Sequence, residues 1–327
     1  MRRIAVFGAG AIGGHIATRL AEGGADVSII ARGRHLAAIQ ANGLTLIAPD
    51  GTRTVRVRAT DDPASLGPQD AVFVTLKAPS LPSLAGGIGP LLGAETPVAF
   101  VMNGMPWWYF HRIGGALEGL RLPRIDPGDA VWNAVGPARA IGGVVYSACT
   151  VREPGVVFTE HAQHRVILGE PDGIVSPRVQ ALSAALEAGK FPSPVVANIR
   201  THVWEKLMGN IVSGPLAVAS GVGMNEIIPV PAVQQVGIAA MKEAIALAAA
   251  LGSPVNIDPE ARIKGAGRLA HKPSILQDLE AGRPMEIDAQ NVVPLELAAR
   301  LGVAAPTLQF LTALLAARGR AAGLYAG

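Results

Sequence analysis

Arg2-Arg-Ile-Ala-Val-Phe-Gly-Ala-Gly-Ala-Ile-Gly-Gly-His-Ile-Ala-Thr-Arg-Leu20 is the stretch on which the fold turns. Ile4, Val6 and Phe7 read as a buried strand. Gly8, Gly10 and Gly13 form G-x-G-x-x-G, and Ile12, Ile16 and Leu20 recur at helical spacing, so strand passes into helix across three glycines. The first glycine permits the tight turn, the second lets a pyrophosphate approach the backbone, and the third lets helix pack on strand. Free N–H groups and the positive end of the helix dipole favour phosphate charge there. Gly8, Ala9, Gly10, Ala11, Ile12 and Gly13 are therefore the first cofactor-binding candidates.

The chain of 327 residues has room for two domains, since domains cluster near roughly 100 to 200 residues. Half of its residues are hydrophobic and 16% are charged, which argues against disorder. The longest apolar helix candidate, Gly237 to Gly252, is interrupted by Lys242 and Glu243. No span reaches the roughly 18 uncharged apolar residues of a membrane helix. The N-terminus runs almost directly into the first strand, with no secretory or transit pattern. A soluble, cytoplasmic protein with no membrane partner is expected. The net charge of +3 comes from scattered basic residues, so nucleic-acid binding gains little support. Cys149 stands alone, and His161 and His164 lack the companions of a zinc pattern; no disulfide and no metal are expected. Only six of the 28 basic residues are Lys, so a Lys at a special position hints that a compact ammonium is wanted.

Asp26-Val-Ser-Ile-Ile30 reads as a second parallel strand buried on both faces. In a dinucleotide fold the tip of this strand meets the adenosine ribose, where an acidic residue bonds the 2′-hydroxyl of NAD. Arg32 stands there instead. A guanidinium suits a 2′-phosphate, so NADP(H) is the cofactor expected; the alternative is that Arg32 and Arg34 simply solvate a loop. Asp70 to Leu76 and Pro97 to Met102 are further strands, followed by Lys77 and by Asn103-Gly104 at the edge where open α/β sheets bind ligands. Met105-Pro-Trp-Trp-Tyr-Phe110 concentrates aromatics in a chain with 4% of them. It could wall an apolar pocket or cover the cofactor, or equally plug the core or a subunit contact. Three runs from Gly142 to Leu168 read as strands completing the first sheet. Beyond Ala197 the pattern is nearly all helical, with Gly, Pro, Asn or Asp at most breaks.

Within that half, Lys206 and Asn210 lie four apart and so on one helix face. An ammonium near a carbonyl can donate a proton and stabilise an alkoxide, and an amide one turn on can orient a hydroxyl or carboxylate. Spacing alone equally fits an amphipathic helix with a surface lysine.

The glycine turn through Gly14, Arg32, Thr75-Leu-Lys-Ala78, Asn103-Gly-Met105, Trp204-Glu-Lys-Leu-Met-Gly-Asn210, and Ser274-Ile-Leu-Gln-Asp278 followed by Glu286-Ile-Asp288, in that order, resemble the ketopantoate reductase family. The resemblance implies an α/β, Rossmann-type N-terminal dinucleotide-binding domain followed by an all-α C-terminal domain, drawn here at 1–190 and 191–327, with the active site in the cleft between. It implies that Lys206 is the catalytic ammonium and that Glu286 holds the cofactor side and assists proton handling. Ser274 would bind the substrate carboxylate, Asn103 both nicotinamide and substrate, and Asn210 the hydroxyl end. Arg32 and Lys77 would meet the phosphates and backbone of NADP. The segment of Cys149 would pass the nicotinamide, though Cys149 also suits a plain buried thiol.

Two departures bear on substrate. Family members commonly carry a second Asn one turn beyond the first, where Gly214 stands beside Ser213, and the aromatic stretch replaces a short helix. Unpaired polar groups in a pocket cost about 1 to 3 kcal/mol each, so these changes would favour a more apolar substrate. The leading expectation is NADPH-dependent reduction of a 2-oxo acid, ketopantoate to pantoate. The alternatives are the same fold acting on a more apolar 2-oxo acid, and a catalytically silent NADP sensor. The apolar helical half also offers surface for a homodimer.

Overall fold

Along the chain come β1 (Arg3–Phe7), α1 (Ala11–Glu22), β2 (Asp26–Ile30), α2 (Gly33–Asn42), β3 (Leu44–Ala48), β4 (Gly51–Val55), β5 (Arg58–Thr60), β6 (Ala71–Val74), the short α3 (Pro82–Ala85) and β7 (Val98–Val101). Then follow α4 (Ala130–Val135), β8 (Ala140–Tyr146), β9 (Cys149–Glu153), β10 (Val156–Thr159), β11 (Arg165–Gly169) and α5 (Pro177–Ala188). The computed structural model describes residues 1–268, 270 and 272–327. They divide into two units, Met1–Met102 with Pro106–Ile199, and Asn103–Met105 with Arg200–Gly327.

In the first unit a seven-stranded sheet runs β11-β8-β7-β6-β1-β2-β5, parallel except where β11 meets β8. Its inner strands are apolar on both faces: Ile4, Val6, Phe73, Phe100 and Ile141 are at most 1% exposed. That is the pattern a sheet covered on both sides demands. The register sets Phe7 beside Ile30 and Val74, so β1, β2 and β6 end level at their carboxyl edge.

β9 and β10 do not complete this sheet as the sequence led us to expect. They join β3 and β4 in a second sheet ordered β4-β3-β10-β9. The cause lies in their side chains: Thr150 to Glu153 are partly or fully exposed, and β10 alternates between buried and half-buried. Strands with one face to bury fit a sheet with one face in water. The second sheet lies on α1, and a Cβ at Gly14 would come 2.6 Å from Val157 of β10.

A buried polar chain ties α1 to this sheet. Arg19, 1% exposed, donates to Asp50 at 2.9 Å, and Asp50 also takes Arg53 at 2.8 Å. Arg19 Nε donates to His15 Nε2 at 3.4 Å. A guanidinium can only donate, so His15 Nδ1 carries the ring proton and gives it to Ser147 Oγ, 3.1 Å away. Burial, reinforced by His164 and Arg19, lowers the His15 pKa to about 3. The folded pKa lies below the unfolded one, so neutral His15 contributes stability in full above about pH 6.5 and loses it progressively down to about pH 3. Unfolding free energy measured by urea between pH 6.5 and 4 should fall by about 1.4 kcal/mol per pH unit more in the wild type than in His15→Gln; parallel pH profiles would refute the assignment.

The aromatic stretch proves to be core of the first unit. Trp107, Trp108, Tyr109 and Phe110 are at most 1% exposed. Trp107 packs edge-on against Phe100 and Trp132, with centroids 5.2 and 5.7 Å apart, and the Arg121 guanidinium covers Trp132 at 3.1 Å. A Cβ at Gly142 would meet the Trp108 ring at 2.7 Å, so β8 carries glycine where the indole lies on the sheet. The reading of these rings as walls of a substrate pocket loses its support.

The second unit is built from α6 (Ile199–Ser220), α7 (Met224–Ile227), α8 (Pro231–Ala250), α9 (Pro259–Ala266), α10 (Ser274–Glu280), a π-helical turn (Asp288–Val292), α11 (Val293–Leu301) and α12 (Pro306–Ala321). Ala240, Met241, Ala244, Leu247 and Ala248 of α8 face its core, as do Leu308, Leu311 and Leu315 of α12. α12 has no capping side chain of its own. Glu243 of α8 supplies the cap, accepting the N–H groups of Thr307 and Leu308 at 3.0 and 2.9 Å. None of the described helices is long and apolar enough to cross a membrane.

Candidate active site

In the first unit the glycine turn is shaped for a group that approaches from outside. Gly8 sits at φ +113°, a conformation L side chains rarely adopt, and the Thr75 hydroxyl holds its carbonyl at 2.7 Å. A Cβ at Gly13 would lie 1.8 Å from the Gly8 carbonyl oxygen, so the third glycine of the motif is obligatory. Around Gly10, by contrast, a Cβ would meet nothing within 4 Å. Gly10 is exposed and caps α1 without a side chain, leaving the N–H groups of Ala11, Ile12 and Gly13 with no carbonyl one turn back. An open glycine at the start of a bare helix N-terminus fits the pyrophosphate of a dinucleotide. Arg32 caps the start of α2 with backbone only, is exposed, and has no ion pair among the described residues. Lys77 is exposed just past β6, and Cys149 opens β9, paired with Thr159.

In the second unit His202, Lys206, Asn210 and Ser213 form a half-buried polar stripe along α6, flanked by buried Val203, Leu207 and Ile211. His202 Nδ1 lies 2.7 Å from Glu205 Oε2. Gly214 is buried where the helix meets α10: a Cβ there would stand 3.0 Å from Ile275 Cγ2, next to Ser274. Ser274 is the exposed first residue of α10.

Glu286 is 5% exposed and accepts from Gln290 Nε2 at 3.4 Å. Its segment is held on both sides. Arg283 pairs with Asp278 at 2.9 Å, Met285 N–H donates to Leu324 O at 3.2 Å, and the Tyr325 hydroxyl donates to Asp288 at 2.7 Å. The π turn follows immediately, and Asn103–Met105 docks on it: Met105 N–H donates to Ala289 O at 2.7 Å. Gly104 has φ +81°, and a Cβ on it would lie 2.6 Å from the Ala289 carbonyl. Asn291 of the same turn donates its Nδ2 to Ile211 O of α6 at 3.1 Å, so the second unit brings together the segments of Asn103, Lys206, Asn210, Ser274 and Glu286.

Two sequence profiles match. Residues 4–173 match that of ketopantoate reductase PanE/ApbA, and residues 198–319 match its C-terminal domain. The chain belongs to the ketopantoate reductase family. It is 44% identical to a 2-dehydropantoate 2-reductase of Mesorhizobium japonicum over 95% of this chain and 96% of the relative. A solved chain from Ralstonia solanacearum MolK2 superposes with a TM-score of 0.93 at 39% identity, covering 99% of this chain and 100% of that one. The 2-dehydropantoate 2-reductase of Methylococcus capsulatus follows at 0.83 and 27%, covering 98% and 97%.

Membership of the ketopantoate reductase family makes this protein an oxidoreductase acting on a CH–OH group, with a nicotinamide dinucleotide as redox partner. Its fold is the one the resemblance implied, a Rossmann-like α/β domain followed by a helical domain. Asn291 and the π turn carry no motif of their own in the sequence of this family member. Two prolines could have signalled them, Pro215 inside a helix and Pro294 just after Glu286-Ile-Asp288, since each deprives a carbonyl of its donor.

Proposed function

We propose that the chain reduces 2-dehydropantoate (ketopantoate) to pantoate with NADPH. The observation that carries this is the 44% identity to a 2-dehydropantoate 2-reductase along 95% of the chain, supported by the lysine and amide on one half-buried face of α6. Bound NADPH supplies the hydride. The N–H groups after Gly10 hold its pyrophosphate, and Arg32 and Lys77 pair with its phosphates. Lys206 hydrogen-bonds the 2-oxo oxygen, stabilises the negative charge that develops on it and delivers a proton to it. Asn210 orients the substrate's hydroxyl end and Ser274 its carboxylate. Asn103 contacts substrate and nicotinamide, and Glu286 fixes the cofactor side and handles the proton.

The test is NADPH oxidation over a panel of 2-oxo acids, followed at the nicotinamide absorbance. Ketopantoate should be the best substrate, with kcat/KM above about 10⁴ M⁻¹s⁻¹. Preference for a branched or aromatic 2-oxo acid would transfer the reading to that substrate class, and silence across the panel would overturn it.

A further inference from the structure

The π turn at Asp288–Val292 is placed where two prolines have each left a buried carbonyl without its helical donor. In α6, Pro215 has no N–H to give Ile211 O. At the turn, Val293 N–H reaches back five residues to Asp288 O rather than four to Ala289 O, and the next residue, Pro294, has no N–H either. Both orphaned carbonyls are satisfied through the same five residues. Asn291 Nδ2 donates to Ile211 O at 3.1 Å, and Ala289 O accepts Met105 N–H at 2.7 Å. Asn291 is 1% exposed and Ile211 is fully buried, so no water can substitute for the amide without entering the core.

We infer that Asn291 is a positioning residue for the reaction, and that the π turn is a bracket holding α6, with Lys206 and Asn210, in register with Asn103 and Glu286. The inference rests on the reading of those four residues proposed above. One hydrogen bond joins the bracket to α6 next to Asn210, and the other joins it to Met105, two residues from Asn103. Glu286 leads into the turn directly. Asn291 itself touches no reacting atom; it acts by fixing where those that do are held. Ile211 adjoins Asn210 on the chain, so a shift of its carbonyl moves the amide and ammonium on the neighbouring face together.

The experiment uses the full chain as wild type, Asn291→Ala, Pro215→Ala and the double variant, assayed with ketopantoate and NADPH. Asn291→Ala should lose about 10- to 100-fold in kcat, with KM for NADPH within about twofold, as expected when reacting groups are displaced by up to 1 Å. Pro215→Ala restores a main-chain N–H to Ile211 O, so the double variant should recover most of that loss. A residue that acted anywhere but at Ile211 O would not be rescued in this way, and one that served stability alone would not lower kcat at unchanged KM for NADPH. A kcat for Asn291→Ala within about twofold of wild type, or a double variant no better than Asn291→Ala, would overturn the inference. If Asn291→Ala fails to fold, a soluble and active double variant supports the inference, and failure of both overturns it. If wild type does not turn over ketopantoate, the proposed function fails while the bracket is still judged, by thermal unfolding of the same four proteins. Losses at 291 and 215 that do not add support it, and additive losses overturn it.

Discussion

Lys206→Ala should lower kcat by about 10³-fold while leaving KM for ketopantoate changed by less than about tenfold. The asymmetry follows from when the ammonium matters. A ketone oxygen is a modest acceptor in the ground state and gains nearly a full charge as hydride arrives, so the hydrogen bond proposed from Lys206 would strengthen along the reaction. On the proposed role, removing it would withdraw both the charge and the proton. Lys206→Arg should rescue little, because a guanidinium keeps its proton at any working pH and is planar where the ammonium is compact. Lys206 is half-buried on an otherwise well-packed helix, so thermal stability should change by less than about 1 kcal/mol. Steady-state kinetics at saturating NADPH decide the matter; a kcat within about tenfold of wild type would remove Lys206 from the chemistry.

The second large effect is expected at the cofactor. Arg32→Glu should weaken NADPH about 100-fold and leave NADH unchanged or tighter, as read by quenching of protein fluorescence on titration with each. Arg32 stands exposed past β2 with no ion pair among the described residues, so the change costs the fold little. A carboxylate there repels a 2′-phosphate and accepts from a 2′-hydroxyl, which reverses the preference rather than merely weakening both. Equal loss for the two nucleotides would refute the pairing with the 2′-phosphate.

The parts of the molecule legible in the sequence are those governed by local patterns. Ile4, Val6 and Phe7 before Gly8 gave the strand, and Ile12, Ile16 and Leu20 gave the helix, because each pattern follows from one face being buried. The helices of the second unit were legible for the same reason. Pairing of strands was not: Cys149 to Glu153 read as strand, but which sheet they join depends on what covers their second face. Trp107 and Trp108 read as ligand walls or core with equal justice, since an indole is at home in both until its neighbours are known. Asn291 was invisible because its role is to answer a vacancy created at Pro215, far away in the chain. Lys206 and Asn210 were placed on one face by spacing, and family resemblance, rather than spacing, singled them out.

Asn103–Met105 belongs to the second unit although the chain on both sides of it belongs to the first. On the ribosome this imposes an order of assembly. Residues of the large sheet emerge and can pair early, but the tripeptide must wait for Ala289, one of the last parts of the chain to be made. Contacts this distant in sequence close slowly. A fragment ending before the π turn would therefore form its sheet yet leave Asn103 untethered, because the carbonyl that holds Met105 is not yet made.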